Sequence, residues 1–105
     1  MTYQEEEQSR LRRQASKEAI TLALQGQWKE AIAINKSLIE KFPSDVEALN
    51  RLGRAHMELG EYRDAEAAYR KTLEIDQYNA IAQKNLQRLS YLKKTKTTPL
   101  RSCLS

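Results

Sequence analysis

Sliding the chain against itself by 34 residues superposes 12–45 on 46–79 without a gap, and this self-similarity limits the fold more than any other feature. Gly26 falls on Gly60, Trp28 on Tyr62, Ala31 on Ala65, Ala33 on Ala67 and Glu40 on Glu74. Conservative matches surround them: Lys29 with Arg63, Glu30 with Asp64, Lys36 with Arg70 and Ile39 with Leu73. Within each unit the apolar residues keep a three-and-four spacing. The rows are Trp28, Ala31, Ile32, Leu38, Ile39 and Phe42; then Val46, Leu49, Leu52, Gly53, His56 and Leu59; then Tyr62, Ala65, Tyr69, Thr72 and Leu73. That is the rhythm of amphipathic helices, so each unit reads as a helical hairpin.

Punctuation agrees with the rhythm. Gly26 and Gly60 stand where a helix ends on a left-handed residue, and Pro43 separates two periodic segments. Ser44-Asp45-Val46-Glu47 predicts a capping box, with Ser44 as the cap and Glu47 reaching back. Glu5, Glu6 and Glu7 near the first helix start suit its dipole. Five helices are expected, over about 4–24, 28–41, 46–59, 62–75 and 79–94. The segment 95–105 has no apolar period and is expected to be a flexible tail. Only 3 glycines and 2 prolines occur, too few for a sheet protein with many turns.

These residues resemble the tetratricopeptide repeat. The second unit carries Leu49-x2-Leu52-Gly53-x2-His56, Gly60, Tyr62 and Ala65-x3-Tyr69, departing at His56, where an aromatic is usual, and at Gln77, where proline is usual. The first unit keeps Gly26, Trp28, Ala31 and Pro43, but has Glu18 in place of leucine and Ala19 in place of glycine. Residues 80–94, with Ala80, Asn85, Leu86 and Leu89, look like the helix that closes such arrays. The resemblance implies an all-α fold, a short α-α superhelix in a single domain over 1–94. Repeat one would be 12–45, repeat two 46–79 and the capping helix 80–94. It also implies that small residues at Ala19, Gly53, Ala31 and Ala65 let helices approach, while Trp28, Tyr62 and Tyr69 fill the gaps.

In the family, the first helix of each repeat lines a concave surface that receives a partner segment. The corresponding positions here are Arg13, Ser16, Ile20, Ala23 and Leu24, then Glu47, Asn50, Arg54, Met57 and Glu58, with Ile81, Lys84, Arg88, Tyr91 and Leu92 from the cap. Arg13, Glu47, Asn50, Arg54, Met57, Lys84, Arg88 and Tyr91 are the expected partner-binding residues. Arg54, Lys84 and Arg88 would form a basic stripe, Asn50 could bond a peptide backbone, and Met57 offers an adaptable apolar contact. The clamp by which some members hold a C-terminal carboxylate is absent: Ser16, Ile20, Arg51, Ile81 and Asn85 stand where it needs Lys, Asn, Asn, Lys and Arg.

Charge supplies the alternatives. The formal net charge is +4, yet residues 1–76 hold 12 basic and 14 acidic side chains, and all six charged residues of 77–105 are basic. The basic end admits a nucleic-acid-associated or ribosome-associated role, although no nucleic-acid motif is present and aromatics are not interleaved apart from Tyr91. A homo-oligomeric structural subunit is a further alternative, because nothing in the pattern covers the outer side of the first helix. The leading expectation is a cytoplasmic protein–protein interaction adapter that binds a protein or peptide segment, acidic in character.

Catalysis, cofactors and metals are not expected. The three glycines are too far apart for a phosphate loop, and the sole histidine, His56, reads as a packed imidazole. His56 and Cys103 cannot supply the three or four ligands of a stable metal site. One cysteine allows no intrachain disulfide and suits a reducing setting. The start Met1–Gln8 does not read as a signal peptide, the last three residues fall one short of a prenylation box, and no stretch approaches the roughly 18 apolar residues that span a bilayer.

Overall fold

The first helix begins where Thr2 accepts the Glu5 amide at 3.2 Å while the Glu5 carboxylate faces the Thr2 backbone, a capping box that the periodicity alone did not reveal. The computed structural model describes residues 2–96, with side chains through 92; the greater part of the expected tail, including Cys103, lies outside the described residues. Within them are α1 (Tyr3–Leu24), α2 (Trp28–Lys41), α3 (Val46–Glu58), α4 (Tyr62–Ile75) and α5 (Ala80–Lys96). The last of these runs to Lys96, against an expected end at 94.

The two glycine turns are built alike. Gly26 and Gly60 take φ of 75° and 76°, a region that side chains with a Cβ rarely enter. In the first turn Gly26 donates to Ala23 at 3.0 Å and Gln27 to Leu22 at 2.8 Å; in the second Gly60 donates to Met57 at 3.0 Å and Glu61 to His56 at 2.8 Å. This double closure satisfies the last carbonyls of α1 and α3 and sends the chain back antiparallel.

The start of α3 corrects an expectation. Asp45, not Ser44, is the cap: its Oδ1 accepts the Ala48 amide at 3.1 Å, and its carbonyl accepts the Leu49 amide at 3.1 Å. With Asp45 as cap, the third helical residue is Ala48, so Glu47 has no reciprocal bond to make. The reason lies in a distant residue. Asp45 Oδ2 also accepts from Arg12 Nε at 3.1 Å, which draws the carboxylate inward and leaves Ser44 exposed.

Each helix packs against its chain neighbours, and α1 also touches α3. The Cα radius of gyration is 16.1 Å, above the roughly 13 Å of a compact 100-residue domain, as a stacked array requires. The buried apolar residues are mostly alanines (19, 31, 48, 55, 65, 68 and 82), joined by Leu38, Leu49, Tyr69 and Leu89. Small side chains at the seams bring the helix axes close, and Tyr69 fills the space beside Gly53. The all-α superhelix expected from the repeat is the architecture observed.

Buried polar groups are all accounted for. Asn35 donates to the Ala31 carbonyl at 3.0 Å and accepts from Arg51 at 3.0 Å, while the Thr72 hydroxyl donates to Asn50 Oδ1 at 3.1 Å. Among the described residues no buried side-chain nitrogen or oxygen lacks a partner.

Candidate functional site

A cavity of about 650 Å³ opens between α3 and α5. From α3 it is lined by Asn50, Arg51, Arg54, Met57 and Glu58, and from α5 by Ile81, Asn85, Arg88 and Leu92. Tyr62 and Tyr69 of α4 complete the lining. Four of the eight expected partner-binding residues meet here, Asn50, Arg54, Met57 and Arg88, together with Glu58, Ile81 and Leu92 of the wider set of groove positions. Four do not line it. Arg13, Glu47, Lys84 and Tyr91 are exposed, but they stand outside this cavity.

Each wall residue has a defined degree of freedom. Asn50 is tied down, accepting from Thr72 and donating Nδ2 to Asn79 Oδ1 at 3.1 Å, so it keeps one N–H and one lone pair for a ligand. Arg54 donates Nε to Glu58 Oε2 at 2.9 Å, and its guanidinium lies 5.7 Å from the centre of the Trp28 ring. Arg51 is held between helices, donating Nε to Asn35 and a terminal nitrogen to Ser16 Oγ at 3.4 Å. Burial lowers its pKa from the ordinary guanidinium value, and Arg12 adds to that direction while Asp45 and Glu47 oppose it. Burial pushes the Tyr69 phenol up to about 12 against the opposing charges of Arg54 and Arg88, which line the same cavity.

A second cavity, about 260 Å³, lies on the first-repeat side of α3. Ile20, Ala23, Leu24 and Trp28 supply its apolar walls, and Arg51 and Arg54 close it. Three of the five groove positions expected on α1, Ile20, Ala23 and Leu24, thus converge with Trp28, while Arg13 and Ser16 do not line this cavity. What the sequence reading overlooked is Arg51 and Asn85 as wall residues, together with Tyr62 and Tyr69. The signal was available: Arg51 and Asn85 occupy equivalent positions in their helices, one turn before Ala55 and Leu89 of the packed face.

The α3–α5 cavity wall holds cations, amides, apolar side chains and one carboxylate, Glu58, already paired with Arg54. Such a surface can grip an anionic, partly apolar chain. Metal-ligating spacing occurs elsewhere among the described residues: His56, Glu61 and Asp64 bring their ligand atoms within 4.8 Å of one another. His56 is buried, and its Nδ1 lies 2.8 Å from Glu61 Oε1, so a hydrogen bond accounts for the approach of those two groups. No helix among the described residues is long and apolar enough to cross a membrane.

With this geometry in place, the sequence model of the tetratricopeptide repeat matches residues 16–80, well over half of the chain. The chain belongs to the tetratricopeptide repeat family. No curated protein matches it. Repeats of this family generally mediate protein–protein interaction and typically act as scaffolds without catalysis. In this tetratricopeptide array the α3–α5 cavity and the smaller cavity on the first-repeat side share Arg51 and Arg54 in their walls.

Proposed function

We propose that this tetratricopeptide repeat protein is a cytoplasmic adapter that holds an extended acidic segment of a partner protein in the groove between α3 and α5. It works by recognition on a preformed surface and not by catalysis. The observation that carries the reading is that Arg54 and Arg88 line one cavity with Tyr69, Met57, Ile81 and Leu92, with a single carboxylate in the wall. The lone cysteine of the sequence supports the cytoplasmic part.

Affinity capture from native lysate, with Arg54→Glu/Arg88→Glu as the control bait, identifies the partner. Its bound segment is then synthesised and titrated. The double substitution should weaken binding by at least about tenfold, equivalent to ~1.4 kcal/mol. Deleting 95–105 should leave binding intact, whereas nucleic-acid binding through the basic end would fall steeply with salt and be lost on deleting 93–105, which removes Lys93, Lys94, Lys96 and Arg101. Binding indifferent to the double substitution would overturn the groove reading.

Self-association is a second reading with an observation of its own. A cavity of about 550 Å³ between α1 and α2 is lined by Leu11, Ala15, Ile34 and Phe42, and no other helix among the described residues contributes to its lining. Light scattering at two concentrations tests it, and a strictly monomeric mass removes it.

A further inference from the structure

The two cavities flanking α3 are not independent, because Arg51 and Arg54 belong to the walls of both. The α1 side is apolar: Leu24 is 84% exposed and Ile20 43%, beside the half-buried ring of Trp28. The α5 side offers Ile81, 57% exposed, with Met57 and Leu92. Between them, Arg51 is committed to Asn35 and Ser16 and serves as a fixed ridge. Arg54 is different. It is 62% exposed and donates through Nε to Glu58. A guanidinium has five N–H donors, so its terminal nitrogens can take a second carboxylate without displacing the first.

We propose, resting on the groove reading above, that the surface reads a two-anchor acidic segment: an apolar side chain in the Ile20–Leu24–Trp28 cavity, a second three residues away beside Ile81 and Leu92, and an Asp or Glu between them on Arg54. The spacing follows from helix packing. A helix with its side chains is about 10–12 Å across, so the two cavities on either side of α3 are separated by about 10 Å. An extended chain offers two ways to cover it. In a β-strand, residues on one face recur every second position, about 6.6 Å or 13 Å apart, and neither fits. In a polyproline II segment, residues i and i+3 share a face and are about 9 Å apart, which does fit. The charge in the middle follows from the cavity lining, which sets Arg51, Arg54 and Arg88 against the one carboxylate of Glu58, while Asp45 and Glu47 act on Arg51 from outside the lining.

The test uses the full chain and fluorescein-labelled octapeptides in fluorescence anisotropy. The lead probe is Gly-Ser-Leu-Asp-Ser-Leu-Gly-Ser. Companions place the two leucines two or four residues apart, replace Asp by Asn, or replace the first leucine by serine. The lead should bind at least about tenfold tighter than either respaced probe. Ile20→Ser/Leu24→Ser, on exposed positions, should abolish the preference for the first leucine while leaving the Asp-to-Asn discrimination in place. Arg54→Gln should do the reverse. Circular dichroism confirms that both variants keep the helical fold. Acid-dependent binding that ignores leucine spacing, or survives Ile20→Ser/Leu24→Ser unchanged, overturns the two-anchor register and leaves the groove reading standing. If no acidic probe binds, and the captured partner segment is also indifferent to Arg54→Glu/Arg88→Glu, both readings fall together.

Discussion

Between Gly53 and Tyr69 there is no room for a methyl group. A Cβ built on Gly53 meets three atoms of the Tyr69 ring at 2.6 to 2.9 Å, and the ring is buried at 1% exposure, so it cannot swing aside. Alanine ordinarily stabilises a helix interior by ~1 kcal/mol over glycine. Here the overpacking cost, about 1–3 kcal/mol, dominates. Gly53→Ala should lower the urea midpoint, and a midpoint raised by the substitution would contradict the close approach. Gly26 makes a useful contrast, since nothing lies within 4 Å of its added Cβ and Gly26→Ala is penalised by its positive φ alone. Tyr69 itself carries a pH prediction. Its phenol is raised from 10.0 to about 12, chiefly by burial, so between those values the folded chain holds a proton that the unfolded chain has lost. That contribution is fully present below pH 10 and disappears as pH rises through about 12. The difference between native and Tyr69→Phe absorbance titrations near 295 nm should therefore centre close to 12, with circular dichroism confirming that the chain is still folded. A difference centred near 10 would show the phenol to be solvated.

Asp45 shows how one element boundary is decided by another element. It caps α3 through Ala48 and at the same time takes Arg12 from α1, whose guanidinium also lies 4.8 Å from the centre of the Phe42 ring. Asp45→Ala should cost about 1–2 kcal/mol from the lost cap. The half-exposed Arg12 pair adds little to that. Asp45→Asn should recover most of the loss, and Ser44→Ala should be nearly neutral in the same thermal melts. Equal costs at 44 and 45 would restore Ser44 as the cap. The sequence misled here because Ser and Asp are equally good caps, and the choice depends on a residue 33 positions away. Helix number and rhythm were legible because they are local, repeating properties of the chain. The groove was legible only in part, for reasons of helical phase and reach. On α5 the cavity wall is Ile81, Asn85, Arg88 and Leu92, a row spaced by four, three and four, so Lys84 and Tyr91 lie a step around the helix. Arg13 precedes Ile20 by seven residues, about 10 Å along α1, and so falls short of the α1-side cavity. Glu47 stands one turn before Asn50, where the α3 part of the wall begins. The Arg51–Asn35–Ser16 bonds join three helices across sequence separations that no periodicity registers.

In an array whose helices touch little beyond their chain neighbours, stability passes along the stack one interface at a time. The far end is closed by α5, which packs Ala82 and Leu89 against Ala65 and Tyr69, with Met57, Tyr62, Leu73 and Leu86 around them. Leu89 is 1% exposed, so Leu89→Ala should cost about 2–5 kcal/mol, a large fraction of the roughly 5–15 kcal/mol that holds a domain of this kind. Whether that loss is felt at the other end depends on the α2–α3 interface. It is joined by the Arg51–Asn35 bond and by the Arg54 guanidinium over Trp28. With α2 and α3 fastened in this way, the first hairpin has no independent core large enough to stand alone, since below about 40 residues a chain rarely buries enough apolar surface. Unfolding should therefore be a single transition. Trp28, the only tryptophan in the chain, reports on the first hairpin, while far-ultraviolet circular dichroism averages over all five helices. Leu89→Ala, made on α5, should shift both curves by the same amount although Trp28 belongs to α2. A tryptophan transition left in place while the dichroism transition falls would mean that the two hairpins unfold separately, and that the groove between α3 and α5 could open without disturbing the cavity beside Trp28.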